Sequence, residues 1–269
     1  MFRTQNFIFT LILLALFAFA SEAKTETGFL NRTATVGSTT YHYQVYVPAD
    51  WHAKQKWPVV LFLHGAGERG SDGIIQTEVG IGTAVRRHAD RAKCVIVFPQ
   101  CLTNHWWTEP EMQAQALKAL ELSVKEFNGD AERLYLTGIS MGGYGSWAIA
   151  SVNPGKFAAI APVCGGVRVP QRIADQLKLQ ATQGDDPYTP VAQKIGKTPV
   201  WIFHGGADSV VPVAESRKMN EALKAIGGNV KYSEYEGVNH NSWDKAYGEN
   251  DFFTWLLSQR LEAKAKANP

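Results

Sequence analysis

Short, continuously apolar runs that alternate with amphipathic stretches constrain the fold of this 269-residue chain more than any other feature. Runs such as Val59–His64, Cys94–Pro99 and Val200–His204 are apolar almost throughout. Parallel strands that are buried on both faces have this composition, whereas strands with one wet face alternate in polarity. The order predicts an α/β protein with a mostly parallel central sheet, helices on both faces, and ligands at the carboxyl ends of the strands.

The predicted strands follow one another at fairly even spacing along the chain. They are Thr40–Val47, Val59–His64, Cys94–Pro99, Arg133–Thr137, Phe157–Val163, Val200–His204 and Val230–Glu236. Because Thr40–Val47 alternates in polarity, we expect it to be an antiparallel strand at the edge of the sheet.

Helical periodicity is clearest in three stretches. Thr108–Glu111 has the pattern of a capping box, and the apolar stripe that follows it is expected to end at Gly129. This stripe consists of Leu117, Leu120, Val124 and Phe127. A second apolar face runs over 216–226 and ends at Gly227, and Phe252–Leu257 is the last predicted helix.

Composition excludes several classes of protein. The chain is 45% hydrophobic and 19% charged, with a net charge of +2 and no cluster of lysine and arginine. Nucleic acid and anionic membrane surfaces are therefore not expected partners. We expect residues 24–269 to form a single catalytic domain, since their number is ordinary for one α/β domain. The sequence does not predict an oligomeric state.

The N-terminus has the features of a secretory signal peptide. Arg3 precedes a 14-residue apolar run, Phe7–Ala20, which is too short to span a bilayer comfortably. Small residues at 18–23 then fit a cleavage site, which predicts a signal peptide over 1–23 and a secreted or periplasmic protein. An uncleaved anchor is the alternative.

Export permits disulfides, and the chain has three cysteines. Cys94 and Cys101 lie at opposite ends of one predicted strand, roughly 23 Å apart, which is beyond disulfide reach. Cys101 and Cys164 both follow predicted strands and could meet at one sheet edge. The sequence leaves open whether these two form a disulfide or whether all three thiols are free.

One serine stands among four glycines in LTGISMGGYG, residues 136–145, where a predicted strand meets a predicted helix. The pattern Gly138-Ile139-Ser140-Met141-Gly142 fits G-x-S-x-G, which in this context is typical of a nucleophile elbow. In such a turn the flanking glycines let strand and helix approach while the serine projects into a pocket. Ser140 is therefore the candidate nucleophile, and a capping serine in a glycine-rich turn is the alternative.

A nucleophilic serine needs a base and an orienting carboxylate, which on an elbow scaffold follow in the order serine, acid, histidine. Of the seven histidines, five precede Ser140 and are excluded by this order. Asp208 follows the Val200–His204 strand, and His240 is the only histidine after it. We expect Asp208 as the acid and His240 as the base. The rival acids Asp185, Asp186 and Asp244 either follow no strand or break the order.

An oxyanion hole requires two preorganised backbone N–H groups. One is expected from Met141, directly after the nucleophile. The other is expected from Ala66, with Gly67 as the alternative, in the loop HGAGERG that follows Val59–His64. Glu68, Arg69 and Asp72 are expected to form an ion pair that holds this loop.

Four aromatic residues are candidates for a substrate-binding wall. Trp106 and Trp107 follow the Cys94–Pro99 strand, whereas Tyr144 and Trp243 flank the nucleophile and the base. Such a wall would suit an apolar or aromatic acyl group, and burial in the core is the alternative for each. No metal-ligand spacing or phosphate-binding loop is present, so neither a metal nor a cofactor is implied.

Taken together, the motifs HGAGERGSD, FPQC, WW, GISMGGYGSW, HGGADSVVP and GVNHNSWDKAY resemble those of α/β-hydrolases. The chain is similar to secreted carboxylesterase/phospholipase and feruloyl-esterase-like enzymes, near the poly(3-hydroxybutyrate)-depolymerase-like group, from about Thr40 to Arg260. The resemblance implies an α/β-hydrolase fold with Ser140, Asp208 and His240 as nucleophile, acid and base. Some relatives are labelled peptidases of the prolyl-oligopeptidase kind, but no propeller domain is evident in the sequence. Dienelactone hydrolases use a cysteine where this chain has Ser140.

These observations predict a secreted serine esterase that acts on small or polymer-linked carboxylic esters. A peptidase or amidase with the same triad is the first alternative, and a catalytically silent binding protein is the second. The stretch 166–198, where a cap would be inserted, is short and polar, and its Leu177 and Leu179 cannot form a broad apolar lid. We therefore expect a small cap or none, and an open pocket.

The signal peptide gives a first prediction. Protein isolated from its native host should begin at Ser21 or Lys24, because the small residues before each position fit signal-peptidase cleavage. N-terminal sequencing of that protein measures this directly. A mature chain that begins at Met1 or Phe2 would contradict the prediction.

Overall fold

The computed structural model describes residues 26–177 and 184–261, and the predicted signal peptide lies outside these residues. The strands are β1 (Gly28–Val36), β2 (Thr39–Val47), β3 (Trp57–Leu63), β4 (Val95–Pro99), β5 (Gly129–Ile139), β6 (Ala159–Val163), β7 (Val200–Gly205) and β8 (Val230–Tyr235). The helices are α1 (Ile81–Arg87), α2 (Pro110–Glu126), α3 (Met141–Val152), α4 (Gln171–Leu177), α5 (Tyr188–Ile195), α6 (Ala214–Ala225), α7 (Trp243–Gly248) and α8 (Phe252–Ser258).

The strands form one sheet in the order β1-β2-β4-β3-β5-β6-β7-β8. Strands β3 to β8 pair in parallel, whereas β2 pairs antiparallel with both β1 and β4. The predicted α/β class with a mostly parallel sheet is therefore confirmed. The prediction that Thr40–Val47 is an antiparallel strand is confirmed, whereas its expected place at the outer edge is wrong, because the unpredicted strand β1 covers its outer side.

The register of the parallel strands places their carboxyl ends side by side. Gly138, near the end of β5, pairs with Leu63 on one side and Pro162 on the other. At the far end of the sheet, Gly205 of β7 pairs with Tyr235 of β8. The loops that leave β3, β5, β7 and β8 consequently meet along one edge of the sheet, which is where a ligand site is expected in an α/β fold.

Helices cover both faces of the sheet, as predicted. One apolar core lies under α2, α3, α5 and α6, and the other lies under α1, α7 and α8. All seven residues of β3 are buried between the two cores, which explains why its sequence is apolar throughout. None of the helices in the described part of the chain is long and apolar enough to cross a lipid bilayer.

Helix α2 differs from its prediction at both ends. Its N-cap residue is Glu109, and no side-chain cap bond forms there, so the predicted capping box at Thr108–Glu111 is wrong. The Glu109 carboxylate instead accepts a hydrogen bond from the Trp106 amide, which lies in the preceding loop. At the other end Asn128, not Gly129, adopts a positive φ of 51°, and Gly129 already begins β5.

The predicted face of α2 is also shifted. Its buried side chains are Met112, Gln115, Ala116, Ala119, Leu120 and Ser123, whereas Leu117 and Val124 are only partly buried. The helix therefore packs on the sheet through a face that combines small residues with Met112, Gln115 and Leu120.

All three cysteines are buried and free. The alternative of a disulfide between Cys101 and Cys164 is therefore excluded, and the option of three free thiols holds. Burial raises the pKa of the Cys164 thiol to about 12, so this sulfur stays protonated at neutral pH.

Candidate active site

Ser140 occupies a strained turn between β5 and α3. Its backbone has φ of 51° and ψ of −116°, a conformation that a residue with a Cβ adopts only under constraint. The turn is held by a hydrogen bond of 2.9 Å from the Ser140 amide to the Val163 carbonyl at the end of β6. The strain and the position match the predicted elbow.

The glycines around Ser140 are required by close backbone contacts. A Cβ built on Gly142 would lie 1.9 Å from the Leu63 carbonyl oxygen, and one built on Gly138 would lie 2.4 Å from the Gly142 carbonyl oxygen. Neither contact can be relieved by moving a flexible side chain, because both partners are backbone atoms. The first turn of α3 can therefore pack against the end of β3 only when both positions are glycine.

The structure brings Ser140, His240 and Asp208 together in one hydrogen-bonded chain. The Ser140 hydroxyl donates to His240 Nε2 over 2.9 Å, and His240 Nδ1 donates to Asp208 Oδ2 over 2.7 Å. The Asp208 side chain is fully buried, whereas 18% of the His240 side chain remains exposed. The three residues follow the ends of three different strands. Ser140 and His240 are 100 positions apart in the sequence, and Asp208 and His240 are 32 positions apart.

Asp208 is held as a carboxylate by several donors. Its Oδ1 accepts hydrogen bonds from the amides of Val210 and Val211, at 2.8 and 2.9 Å. Burial raises the pKa of Asp208, but hydrogen bonds from His204, His240 and these amides outweigh it, so the pKa lies well below its usual range. The residue is therefore ionised across the working range of a hydrolase.

The rival acids lie elsewhere. Asp186 Oδ1 accepts from the amides of Tyr188 and Thr189 at the start of α5. Asp244 is on α7, where it borders a surface depression with Tyr235 and Glu249. Their local hydrogen bonds and positions leave Asp208 as the carboxylate that contacts His240.

Asn239 connects the loop of the acid to the loop of the histidine, and sequence reasoning missed it. Its side-chain oxygen accepts hydrogen bonds from the Ser209 amide at 2.9 Å, the Ser209 hydroxyl at 3.0 Å and the His240 amide at 2.8 Å. The motif GVNHNSW placed it beside His240 in sequence, but no pattern predicted that it would span two loops. His204 is a second missed residue, since its ring also reaches Asp208.

The two predicted oxyanion amides flank Ser140. Met141 and Ala66 are the first residues of α3 and of a short 3₁₀ turn, so neither N–H has an acceptor within its own helix. A Cβ built on Gly65 would lie 3.8 Å from the Cβ of Ser140, which places this loop against the serine. The arrangement can offer two backbone donors to an oxygen beside Ser140.

His64 fixes the orientation of the Ala66 amide. Its Nε2 accepts from the Cys101 amide at 2.9 Å, so Nδ1 carries the proton and donates to the Gly65 carbonyl at 2.6 Å. In a trans peptide the carbonyl and the following N–H point in opposite directions. Holding the Gly65 oxygen on one side therefore directs the Ala66 N–H to the other.

The predicted ion pair among Glu68, Arg69 and Asp72 is wrong. Arg69 Nε instead donates to the Ala66 carbonyl at 2.9 Å, and the Asp72 carboxylate accepts from the amides of Ile74 and Ile75. The turns of the loop place backbone carbonyl and amide groups closer to these side chains than the charged side chains are to one another. Hydrogen bonds to the backbone therefore hold the loop.

The four predicted aromatic residues have different environments. Trp107 is fully buried, donates its ring N–H to the His64 carbonyl at 3.0 Å and packs against Gly145, so the prediction that it binds substrate is wrong. Trp106 and Tyr144 are 6% and 3% exposed and pack edge to face, which makes them mainly core residues. Trp243 is partly exposed, and its ring contacts His240 at 5.6 Å between centroids.

One group of possible metal ligands lies at the site. Donor atoms of Cys164, Asp208 and His240 all lie within 4.8 Å of one another. Asp208 and His240 already hydrogen-bond each other, and the buried Cys164 thiol is protonated at neutral pH. A metal would have to displace both features, so these residues fit an acid–base pair better than a metal centre.

A mostly parallel sheet with a serine on a strand–turn–helix elbow, and an acid and a histidine on later strand ends, defines an α/β-hydrolase. The sequence profile of the prolyl oligopeptidase family matches residues 111–259, which is more than half of the chain. The chain belongs to this family.

Two proteins and one solved structure are similar to this chain. A protein of Arthroderma benhamiae named an uncharacterized secreted protein is 28% identical over 220 residues, covering 73% of this chain and 22% of its own length. A protein of Oryza sativa subsp. japonica named a probable carboxylesterase is 24% identical over 230 residues, covering 75% and 88% of the two chains. The crystal structure of a thermostable esterase is 33% identical with a TM-score of 0.71, and the match covers 86% of this chain and 63% of that one. The chain thus spans about a fifth of the first relative and under two thirds of the esterase.

The buried His64 generates a prediction about stability. Burial lowers the pKa of His64 to about 4 from 6.5, despite its hydrogen bond to Gly65. Below pH 6.5 the unfolded chain binds a proton at this ring that the folded protein does not, so the stabilising contribution is present above that pH and is lost as pH falls toward 4. His64→Gln should therefore remove a pH dependence of about 3 kcal/mol in the free energy of unfolding.

Urea denaturation of wild type and variant at several values between pH 4 and 7.5 measures this difference. His88→Gln, at an exposed position, is the control for loss of an imidazole and should keep the wild-type pH dependence. If His64→Gln and wild type lose stability in parallel as pH falls, the ring is not a buried neutral histidine.

Proposed function

We propose that the protein hydrolyses carboxylic esters, with Ser140 as nucleophile, His240 as general base and Asp208 as the carboxylate that orients the base. The observation that carries this proposal is the chain of hydrogen bonds from Ser140 through His240 to the buried Asp208, at 2.9 and 2.7 Å. Serine hydrolases on unrelated folds share these contacts because a neutral hydroxyl needs a positioned base to become nucleophilic.

The geometry supports a two-stage acyl transfer. Ser140 Oγ attacks the ester carbonyl while its proton moves to His240 Nε2, and the amides of Met141 and Ala66 donate to the oxyanion. His240 then gives that proton to the departing alcohol as the tetrahedral intermediate collapses to an acyl-enzyme. Water, deprotonated by the same nitrogen, then attacks the acyl carbon. As the second tetrahedral intermediate collapses, the bond from the acyl carbon to Ser140 Oγ breaks, His240 Nε2 returns its proton to that oxygen, and the acid is released. Asp208 keeps the Nδ1 proton on the side away from Ser140 throughout.

Ester cleavage is favoured over amide cleavage by the relatives of the chain. The 33% identical structure is named an esterase, and the rice relative is named a probable carboxylesterase. The family profile favours the second candidate, a peptidase or amidase that uses the same three residues. A binding protein without catalysis is disfavoured, because binding alone requires neither the strained Ser140 nor the ordered hydrogen bonds to it.

The substrate proposed is a short-chain or aromatic ester, of the feruloyl type among others. Trp243 supplies a partly exposed aromatic surface next to His240. Among its described residues, the region between β6 and β7 contains only the short helices α4 and α5, and Leu179 lies outside the described residues. Such a cap offers little apolar surface to cover a long acyl chain.

Export from the cell is also proposed. The apolar run Phe7–Ala20 and the small residues after it support a signal peptide, and the relative from Arthroderma benhamiae is named a secreted protein. The aligned region of that relative covers 73% of the chain, so the likeness extends over most of the sequence that would remain after cleavage.

Substitution of the three residues tests the catalytic proposal. Ser140→Ala should fold normally, lose about 10⁴-fold or more in kcat and stop reacting with a fluorophosphonate probe. Asp208→Asn keeps the shape of the side chain but favours the wrong imidazole tautomer, so we expect a loss on the order of 10⁴-fold. The matched control is Asp186→Asn, which loses a carboxylate at the start of α5 and should keep activity. Retention of more than a tenth of the activity in Ser140→Ala would place the nucleophile elsewhere.

A substrate series tests the choice between ester and amide and the size of the pocket. Esters and amides of the same acyl groups should differ in kcat/KM in favour of the esters. Among p-nitrophenyl esters, kcat/KM should fall beyond roughly eight acyl carbons, because each uncovered methylene forgoes about 0.8 kcal/mol of burial. A maximum at long chains, or a jump in rate when the substrate forms micelles, would indicate a lipase with a true lid.

A further inference from the structure

A second histidine lies behind the acid of the proposed triad. His204, at the end of β7, is fully buried, and its Nε2 lies 3.2 Å from Asp208 Oδ2 and 3.1 Å from the Val211 carbonyl oxygen. Its Nδ1 lies 2.7 Å from the hydroxyl of Ser216, a buried residue of α6. Neither residue takes part in the two-stage mechanism, yet both are buried polar groups with specific partners.

The partners of His204 determine where its proton lies. Nε2 faces a carbonyl and a carboxylate, and neither group has a proton to donate, so Nε2 must carry the hydrogen. Nδ1 faces the Ser216 hydroxyl, which can donate to a bare ring nitrogen. The hydroxyl therefore favours the tautomer that presents an N–H to Asp208.

Asp208 Oδ2 accepts from two imidazoles at once. His240 Nδ1 approaches at 2.7 Å and His204 Nε2 at 3.2 Å, while Oδ1 is occupied by the amides of Val210 and Val211. A carboxylate oxygen that shares its charge between two donors stabilises each of them less than it would a single donor. The shared oxygen is also fixed in position, because it is held from both sides.

We propose that His204, whose tautomer is fixed by the acceptors at Nε2 and whose ring is held by Ser216 at Nδ1, is a positioning residue that acts on His240 through Asp208. It holds Oδ2 toward His240 and limits how strongly the carboxylate stabilises the protonated form of that base. The inference rests on the proposed triad function and adds two residues to it, so that the functional chain of contacts runs from Ser140 to Ser216.

The other ionisable groups near the contacts that run from Ser140 to Ser216 come from four structural elements. Cys164 after β6 lies within 4.8 Å of Asp208 and His240, and Tyr144 of α3 lies near Asp208. Glu234 of β8 pairs in register with His204 and forms an ion pair with Arg217 of α6 at 2.5 Å. None of these groups is substituted in the variants below, so a changed pH profile is assigned to His204 and its partner Ser216.

The pH dependence of kcat/KM with an ester substrate tests the proposal. His204→Leu removes the N–H, so Oδ2 is left to His240 alone, and the acidic limb should move up by about 0.5–1 pH unit. We also expect kcat to fall about tenfold at the optimum with KM nearly unchanged, because orientation of the base is impaired and substrate contacts are not. His204→Gln restores an N–H donor at the same reach and should return the acidic limb toward wild type.

Two serine variants complete the experiment: Ser216→Ala is a second test, and Ser233→Ala is a control. Ser216→Ala keeps the imidazole but removes the hydroxyl that bonds its Nδ1 and holds the ring toward Asp208, so it should shift the acidic limb in the same direction by a smaller amount. Ser233 is on β8 and accepts from the Trp201 indole at 3.0 Å, away from Asp208. Ser233→Ala therefore controls for the loss of a hydrogen bond between β7 and β8, and should change thermal stability without moving the pH profile.

The outcomes separate this inference from the function on which it rests. If Ser140→Ala is inactive and the acidic limb is the same in wild type, His204→Leu and Ser216→Ala, the inference is overturned while the triad stands. If His204→Leu does not fold, the pH profile of Ser216→Ala decides: a shift supports the inference and no shift overturns it. Full activity of Ser140→Ala would instead remove the proposed function itself.

Discussion

Backbone contact between the end of β3 and the first turn of α3 is the constraint on which the site depends. Gly142 brings this turn within reach of the Leu63 carbonyl, and Gly65 of the following loop lies against Ser140. The same approach therefore fixes the positions of Ser140, of the amide of Met141 and of the loop that carries Ala66. Because the contacts are between backbone atoms, their geometry does not depend on the rotamers of flexible side chains.

Strands that are buried on both faces could be predicted from the sequence. β3 and β7 are buried on both faces and read as continuous apolar runs, so their positions and the α/β class followed directly. The grouping of Ser140, Asp208 and His240 was predictable because an elbow scaffold fixes the chain order of serine, acid and histidine. Strand β1 was not, because its residues are mostly exposed or half-buried and leave no apolar pattern.

Errors arose where local patterns competed with contacts between distant segments. Thr108–Glu111 matched a capping box, but Glu111 accepts a hydrogen bond from Tyr41 on β2, and Glu109 is engaged by the loop before it. Trp107 was taken for a wall of the pocket, although the carbonyl of His64 binds its indole in the core. Asn239 and His204 gave no sequence signal, because each also bonds a residue that is distant in sequence: Ser209 lies 30 positions from Asn239, and Ser216 lies 12 positions from His204. His204 is only four positions from Asp208, but no pattern indicated that its ring would turn back toward that carboxylate.

The separation between the triad and the segment that joins β6 to β7 has a consequence for how such a protein can diversify. None of the described residues of that segment takes part in the hydrogen bonds among Ser140, His240 and Asp208, and its first part is anchored where Glu215 of α6 accepts from the amides of Val167 and Arg168. The stretch beyond this anchor can therefore change in length or polarity while Ser140, His240 and Asp208 keep their positions. The connection between β6 and β7 and the hydrogen-bonded group Ser140, His240 and Asp208 thus come from different stretches of the chain, which allows one to be altered by insertion or exchange without rebuilding the other.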